Sequence, residues 1–447
     1  MVIKLPYGES FQTLEISGGT DVEILRSGAG RADNHITYTG DNRGMPSADC
    51  EDRIVLDALA APINSRGLAA LALGVRNAVV ICSDHTRPVP SRKIIPHILA
   101  ELRAENPGIN VELLIATGMH RAPTVAELER KFGPEILKDE HIVIHDSKDA
   151  ASMRRIGRLP SGSELIINKI AAGADLLVAE GFIEPHFFAG FSGGRKAVLP
   201  GICSYETVLG NHRAEFIGHP AARAGVLNGN PIHRDMTEAA RLAKLAFIVN
   251  VVIDGEKRVV GAFAGEPETA HAAGCAFLSG KCRVIPSRPA DIVVTTNGGA
   301  PLDLNIYQAV KCMTAAETAA APGAVIIALA ECGDGAGGDS FYQIMNGRQS
   351  PASLLNEIRT VPAGGTREDQ WQAQILSRIL VKHEVILVCR PEAAETARHM
   401  KLLTARGADE AFEMAKQIIL SKTEHPRRQN PAVTVIPDGV SVIVGTQ

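Results

Sequence analysis

The chain has 447 residues, of which 45% are hydrophobic and only 4% aromatic, and this length suits two or three globular domains. Its 46 basic and 50 acidic side chains give a net charge of −4 with no basic stripe, which argues against a nucleic-acid partner. The longest apolar runs are strand-sized and shorter than the roughly 20 residues of a membrane span. Because the N-terminus also lacks a signal-peptide core, we expect a cytoplasmic protein without a membrane partner.

The first half of the chain predicts an alternation of strands and helices. A strand pair is expected over residues 2–16 and a helix over 51–60. Further strands are predicted at 76–82, 111–116, 141–145 and 175–180, with helices at about 93–104, 125–138 and 164–172. These strands are continuous apolar runs, which is typical of strands that are buried on both faces. The pattern therefore favours a parallel sheet flanked by helices.

The second half predicts another α/β unit. Residues 204–245 are expected to be helical and irregular, 247–254 and 257–264 to form a hairpin, and 266–278 a helix. The proline-containing segment 285–290 marks a domain boundary, which divides the chain into 1–284 and 285–447. The next predicted elements are a strand at 291–296, a helix at 303–320 and strands at 324–331, 384–389, 433–436 and 441–445. The predicted fold class is α/β, with two domains, each on a mainly parallel sheet flanked by helices.

Polar loops follow three of the predicted strands at their carboxyl ends. They are Ser83–Pro88, Thr117–Arg121 and Gly181–His186. Ligands of open α/β sheets bind at this edge, so the three loops are expected to form one site.

The third loop continues into an unusual cluster of reactive residues. His186, the turn Ser192-Gly193-Gly194, Lys196 and His212 fall within 27 residues, although the chain has only 14 histidines. Imidazole transfers protons near neutral pH or binds metals. A lysine beside a glycine turn contacts a phosphate or forms a covalent link to a cofactor, and glycines let backbone amides approach an anion. Proton transfer, metal binding and cofactor binding are all open on these residues alone.

Each of the other candidate site residues has a structural interpretation as well as a functional one. His120, in the second loop, and His212 are either functional or structural histidines. Asp84 and Arg87 form either a surface ion pair or a clamp for a carboxylate ligand, because the guanidinium group binds carboxylates through two hydrogen bonds. Gln308 and Lys311 are three residues apart and share one helix face, which faces either solvent or a cleft.

Six motifs in order along the chain resemble the nickel-dependent lactate racemase family. They are Ser83-Asp-x-Thr-Arg-Pro, Thr117-Gly-x-His-Arg-x-x-Thr, His186-x-x-x-Gly-Phe-Ser-Gly-Gly-x-Lys-x-x-x-Pro-Gly, Asn211-His, Asn228-Gly-Asn-Pro-Ile-His and Asn297-Gly-Gly-x-Pro-Leu-Asp-x-Asn-x-Tyr-Gln-x-x-Lys. The resemblance implies a nickel pincer nucleotide, a pyridinium mononucleotide with two thioacid arms, which cofactor-biosynthesis proteins would supply.

The resemblance also implies a role for each matching residue. It assigns covalent attachment of the cofactor to Lys196, nickel binding to His212, acid/base catalysis to His120 and His186, further cofactor contacts to Asp84, Thr86, Ser192, Gly193 and Gly194, and substrate contacts to Arg87, Tyr307, Gln308 and Lys311. On this basis the domain 1–284 binds the cofactor and catalyses, and 285–447 is a Rossmann-like domain that closes the substrate cleft between the two.

The activity that the resemblance implies is inversion of the C2 centre of a 2-hydroxy acid. Hydride transfer to the cofactor and back would pass through a 2-keto acid, with lactate as substrate. Glu184, Asp303 and Asn305 lie near the motifs and suggest a longer, more hydroxylated acid, such as an aldonate. Two alternatives are an NAD-dependent 2-hydroxyacid dehydrogenase and a nucleotide- or anion-binding protein without catalysis. The first lacks its glycine fingerprint, and the second would need no pair of histidines.

Overall fold

Two six-stranded sheets form the framework of the computed structural model, which describes residues 1–17, 20–28, 48–422 and 431–445. In these residues the strands are β1 (Val2–Tyr7), β2 (Ser10–Glu15), β3 (Val22–Ile24), β4 (Asn77–Ser83), β5 (Asn110–Ala116), β6 (His141–Ile144), β7 (Met153–Arg158), β8 (Glu164–Asn168), β9 (Leu176–Phe182), β10 (Pro185–His186), β11 (Gly190–Phe191), β12 (Leu245–Ile253), β13 (Val259–Gly265), β14 (Arg283–Val284), β15 (Ala290–Thr296), β16 (Ala320–Leu329), β17 (Glu384–Val388), β18 (Leu403–Ala405), β19 (Val433–Ile436) and β20 (Ile443–Val444).

Helices connect these strands and pack against the sheets. They are α1 (Ala48–Ala60), α2 (Leu68–Ala72), α3 (Ser91–Ala104), α4 (Val125–Phe132), α5 (Pro134–Asp139), α6 (Lys169–Ala172), α7 (Tyr205–Asn211), α8 (Ala214–Ile217), α9 (Pro231–Leu242), α10 (Pro267–Cys282), α11 (Ile306–Ala319), α12 (Asp339–Met345), α13 (Pro351–Thr360), α14 (Gln370–Lys382), α15 (Pro391–His399) and α16 (Ala408–Ser421). The predicted α/β class, with mainly parallel sheets flanked by helices, is confirmed.

The first sheet has the strand order β13-β12-β9-β4-β5-β6, and all neighbours are parallel except the hairpin β12–β13. Residues 78–82 of β4 are buried on both faces, as their continuous apolar run predicts. The chain leaves β4 towards β5 on one side and later returns to its other side with β9. This reversal opens a crevice at the carboxyl ends of β4 and β9, the usual ligand position in such sheets.

The second sheet repeats this arrangement with the order β18-β17-β16-β15-β19-β3, and its strands are all parallel. Its reversal lies beside β15. The start of the chain belongs to this sheet, since β3 pairs with β19 and the β1–β2 hairpin packs in the same apolar cluster as Ile292 and Ile327. For the chain beyond β3, the division at residue 285 stays a prediction.

Two helix predictions needed correction. Residues 164–172 are helical only over α6, because Glu164–Asn168 pairs with β7 as an antiparallel strand. Short apolar runs with isoleucines, such as Ile166 and Ile167, have no periodicity that separates a strand from a helix. The predicted helix 125–138 is two helices, since Gly133 takes a φ of 88° and Pro134 starts the next one.

The two sheets share one apolar cluster, which includes Ile81 beside the first reversal, Met313 of α11 and Trp371 of α14. We call the first sheet with its helices the first unit, and the second sheet with its helices the second unit. The shared core places α11 and α14 of the second unit next to the loops of the first unit. In the described part of the chain, no helix is both long and apolar enough to cross a bilayer.

Candidate functional site

The loop after β4 supplies a buried carboxylate that orients a histidine. Asp84 accepts a hydrogen bond from the Thr86 hydroxyl at 2.7 Å, and its other oxygen lies 2.6 Å from Nδ1 of His120, whose side chain is 40% exposed. Burial alone would raise the pKa of Asp84, but the hydrogen bond and charge of His120, together with Arg87, hold it well below its usual range. Nδ1 of His120 therefore donates to a carboxylate, which leaves Nε2 as a proton acceptor.

His186 has the opposite arrangement. The backbone N–H groups of Ala189 and Phe188 point at its Nδ1, at 3.2 and 3.5 Å, so the proton of the neutral ring lies on Nε2. The ring is buried, and Phe187 stacks on it with ring centroids 5.0 Å apart. Burial, followed by the charges of Lys196 and Lys311, holds the pKa of His186 well below its ordinary value. His186 is therefore a neutral ring whose Nε2–H can donate a hydrogen bond, while His120 has a lone pair that can receive a proton.

The glycine turn that follows His186 is shaped by close packing. Gly193 and Gly194 have φ values of 81° and 54°, and a Cβ would lie 2.6 Å from Asn250 Oδ1 at the first and 2.9 Å from the His271 ring at the second. The amide of Gly194 donates to Asn250 Oδ1 at 2.6 Å, and the Ser192 hydroxyl donates to Glu184. Since the Gly194 amide is already bonded within the protein, these glycines serve packing first.

Lys196 comes two residues after Gly194, half-buried in the cleft, with its amine 5.8 Å from the centre of the Phe188 ring. Burial, followed by the charges of Arg87 and Arg195, holds its pKa well below the ordinary lysine value. An amine with a depressed pKa keeps a free lone pair, which is the form that makes a covalent bond.

His212 ends α7 as a single, oriented imidazole. It is buried, its Nδ1 donates to the carbonyl of Val208 at 3.0 Å, and the rings of Phe188 and Trp371 meet its edges. A histidine fixed through Nδ1 presents Nε2 to a metal. Across the described ranges, no group of three or more His, Cys, Asp or Glu side chains could hold a metal ion. A metal at His212 would therefore need its other donors from a bound group.

Cations from both units converge on this place. Arg87 lies in the loop after β4 and Lys311 on α11, and burial followed by the charge of Arg87 lowers the pKa of Lys311 to about 8. Glu184, in contact with Ser192, opposes this shift. Gln308 shares the face of Lys311 on α11 and is half-buried. Excess positive charge at this point suits an anionic ligand.

Seven of the predicted residues are thus brought together at one edge. The cleft there is lined by Asp84, Arg87, His120, Ser192, Gly193, Gly194 and Lys196, among others. The charges of Lys196 and Lys311 both act on His186, which places α11 of the second unit beside it. Tyr307 differs from the other residues predicted to contact the substrate, because its hydroxyl already accepts a hydrogen bond from the indole N–H of Trp371 at 2.8 Å.

The sequence patterns did not identify the buried residues whose hydrogen bonds fix these loops in place. Arg195 is buried and donates to His233 Nδ1 at 2.9 Å and to the carbonyl of Ala189 at 2.8 Å. Asn230 caps α9 and donates to the carbonyl of Phe188, so the Asn228–His233 motif supports the His186 loop. The sequence did offer one feature that could have drawn attention to Trp371, because it is the only tryptophan in the chain.

Comparisons with known proteins agree along the whole chain. The sequence profile of the lactate racemase N-terminal domain matches residues 31–225, and that of the C-terminal domain matches 285–444. The chain is 48% identical to a lactate racemase from Thermoanaerobacterium thermosaccharolyticum over 442 residues, covering 99% of both chains. It is 46% identical to a lactate racemase from Lactiplantibacillus plantarum over 444 residues, covering 99% of this chain and all of the other.

Solved structures give the same result for the fold. The lactate racemase apoprotein from T. thermosaccharolyticum superposes with a TM-score of 0.91 at 48% identity, covering all of both chains. A protein from Thermotoga maritima, 18% identical, has a TM-score of 0.63 and covers 89% of this chain and 98% of its own. The second likeness concerns the fold alone.

Proposed function

This chain belongs to the lactate racemase family, and we propose that it interconverts the D and L enantiomers of lactate. It is accordingly an isomerase, as the resemblance of its motifs implied. The observation that carries the proposal is the meeting of two histidines in opposite tautomers with cations from both units. A racemase of this kind needs a group that takes and returns the hydroxyl proton and a donor that hydrogen-bonds to the reacting oxygen, and a small carboxylate substrate needs a cationic clamp.

The residues also fit the nickel pincer nucleotide. Lys196 offers a half-buried amine for the covalent link, and His212 offers one oriented nitrogen to a metal whose other donors come from the bound group. Asp84, Thr86 and the Ser192–Gly194 turn would surround the nucleotide. When bound, this cofactor supplies a hydride acceptor and donor, so that the C2 centre becomes planar without a carbanion.

The protein's own part is to bind the substrate and move its proton. Arg87 and Lys311 would hold the carboxylate from two sides, with Gln308 beside them. Nε2 of His120 would take the hydroxyl proton of the substrate and return it to the oxygen of the product, while the Nε2–H of His186 would donate a hydrogen bond to that oxygen. The same two groups would serve the other enantiomer, and both rings would be back in their starting protonation states after each turnover. Phe187 and Phe188 pack around His186 and keep water from its ring.

A longer substrate has less support. Asp303 accepts hydrogen bonds from the backbone N–H groups of Gly8 and Glu331, and Asn305 caps α11 by accepting from the amide of Gln308. Both side chains therefore serve the fold. Of the three polar residues that suggested an aldonate, only Glu184 stands next to the cations of the site, so we propose lactate first.

The test is racemisation by protein that is co-expressed with cofactor-biosynthesis proteins. Pure L- or D-lactate should drift to the racemate, measured by chiral chromatography without added NAD, and intact mass should show a nucleotide-sized adduct with bound nickel. Lys196→Ala should lose both, while Lys169→Ala, which removes an exposed amine bonded to the carbonyl of Ala151, should keep both. No racemisation by adduct-bearing protein would contradict the substrate, and aldonates would then be tried. NAD-dependent formation of pyruvate would indicate a dehydrogenase.

A further inference from the structure

Helix α14 of the second unit contacts the segment of His212 at two points. Trp371, on its first turn and 5% exposed, meets the His212 ring edge-on, with centroids 4.9 Å apart and planes at 62°. One turn later, the buried side chain of Gln374 donates to the carbonyl of Ala214 at 2.8 Å. The imidazole that we assign to nickel is thus contacted on two sides of its segment by a helix of the other unit.

Trp371 is in turn anchored by Tyr307. The indole N–H donates to the Tyr307 hydroxyl at 2.8 Å, and the Gln372 amide donates to the Tyr307 carbonyl. The Tyr307 ring stands edge-on against Phe341, with centroids 5.5 Å apart. Because its hydroxyl is already an acceptor for the indole, Tyr307 acts within the framework of α11 and α14.

The opposite side of His212 is closed as well. Phe188 meets the imidazole edge-on at 5.2 Å, and Val208 accepts its Nδ1–H at 3.0 Å. A ring that is packed between two aromatic groups and fixed through one nitrogen has little freedom to rotate. Its Nε2 direction is therefore set partly by the first unit and partly by α14.

We propose that Tyr307 and Trp371 are positioning residues for His212, and that retention of nickel depends on this contact between the units. The inference rests on the nickel-bearing cofactor of the proposed function. It changes the predicted role of Tyr307 from a substrate contact to a support of the metal ligand. Outer residues of metal sites commonly tune affinity by orienting a ligand.

The test compares Tyr307→Phe with wild type, both co-expressed with the cofactor-biosynthesis proteins. The variant keeps the ring packing and removes the acceptor of the Trp371 N–H. Nickel per adduct is followed during dialysis against a chelator, and the variant should lose nickel about fivefold faster, the effect of one ordinary hydrogen bond. The adduct at Lys196 and the KM for lactate should stay near wild type. Tyr342→Phe is the matched control, since that hydroxyl bonds only to His399 at 3.0 Å among the described residues.

Two further measurements keep the test decisive if Tyr307→Phe folds poorly. Gln374→Ala should also speed nickel loss, because it releases the carbonyl of Ala214 without touching Tyr307. Trp371 is the only tryptophan, so its emission in wild type should be weaker with the nickel cofactor than without it. Equal emission in both states would overturn the inference.

The outcomes separate this inference from the proposed function. If Tyr307→Phe keeps racemase activity and wild-type nickel retention but has a raised KM, the positioning role is wrong. Tyr307 would then be assigned to substrate binding again. Wild-type protein that carries no nickel after cofactor-competent expression would overturn both the cofactor and the inference.

Discussion

The strand order reverses in the same way in the two sheets, but different structural elements lie at the two reversals. Beside β4 the chain places polar loops, which carry Asp84, His120, His186 and Lys196. Beside β15 it places a helix, α11, whose inner face offers Lys311 and its neighbours. Loops can bend backbone groups around a reacting centre, whereas a helix presents side chains at fixed spacing. The comparison suggests that the first unit performs the chemistry and the second grips the substrate.

The sharpest test of this division is to remove the histidines of the first unit. We expect His120→Ala or His186→Ala to lower kcat by roughly 10²- to 10⁴-fold, the usual contribution of a positioned proton-transfer group. The enantiomers of lactate have equal free energy, so kcat/KM must fall equally in both directions. Unequal roles of the two rings would show only as unequal kcat values, measured by chiral chromatography from each pure enantiomer. If either variant carries the adduct and still turns over at the wild-type rate, the role proposed for that histidine in the reaction is wrong.

A control keeps this test specific. His141 is exposed, and its Nδ1 lies 3.8 Å from Glu112 at the far edge of the first sheet. His141→Ala should therefore leave kcat and the cofactor adduct at wild-type values.

A smaller loss is expected from Asp84→Asn. The amide cannot stabilise a charged His120, so the ring loses both its orientation and the partner of its protonated form. We expect kcat to fall by roughly a hundredfold, within the range of acid/base effects. Thr86→Val should cost less, because it removes one hydrogen bond to Asp84 and leaves the carboxylate. Steady-state rates of adduct-bearing proteins measure both effects, and an order reversed between the two variants would contradict the orienting role of Asp84.

The second unit should respond in KM. Lys311→Gln removes a charged donor that we assign to the substrate carboxylate, and a hydrogen bond to a charged group is worth about 1.5–3 kcal/mol. We therefore expect KM for lactate to rise by roughly 10- to 100-fold with little change in kcat. Initial rates over a range of lactate concentrations give both constants. A fall in kcat with unchanged KM would place Lys311 in the chemistry and break the division between the units.

The sequence anticipated the first unit better than the second. Strand ends are visible in sequence, so polar residues such as Asp84 and His120 could be assigned to one edge. The tautomers could not, because they depend on where single backbone groups point, as the Ala189 amide points at His186. Nor could the contact of Tyr307 with Trp371, since the two are 64 residues apart and on different helices. The pairing of β3 with β19 joins opposite ends of the chain and leaves no local pattern.

The smallest expected effect is a pH dependence of substrate binding. Burial beside Arg87 lowers the pKa of Lys311 to about 8, so its ammonium group is complete at pH 6–7 and is lost as pH rises through about 8. Loss of this charge weakens binding of a carboxylate, so KM should rise above pH 8, by up to about tenfold per pH unit for a single titrating group. In Lys311→Arg the rise should disappear, because guanidinium does not titrate there, while a first-unit variant such as Thr86→Val should keep it. A KM that rises equally in wild type and Lys311→Arg would assign the pH dependence to another group and weaken the substrate role of α11.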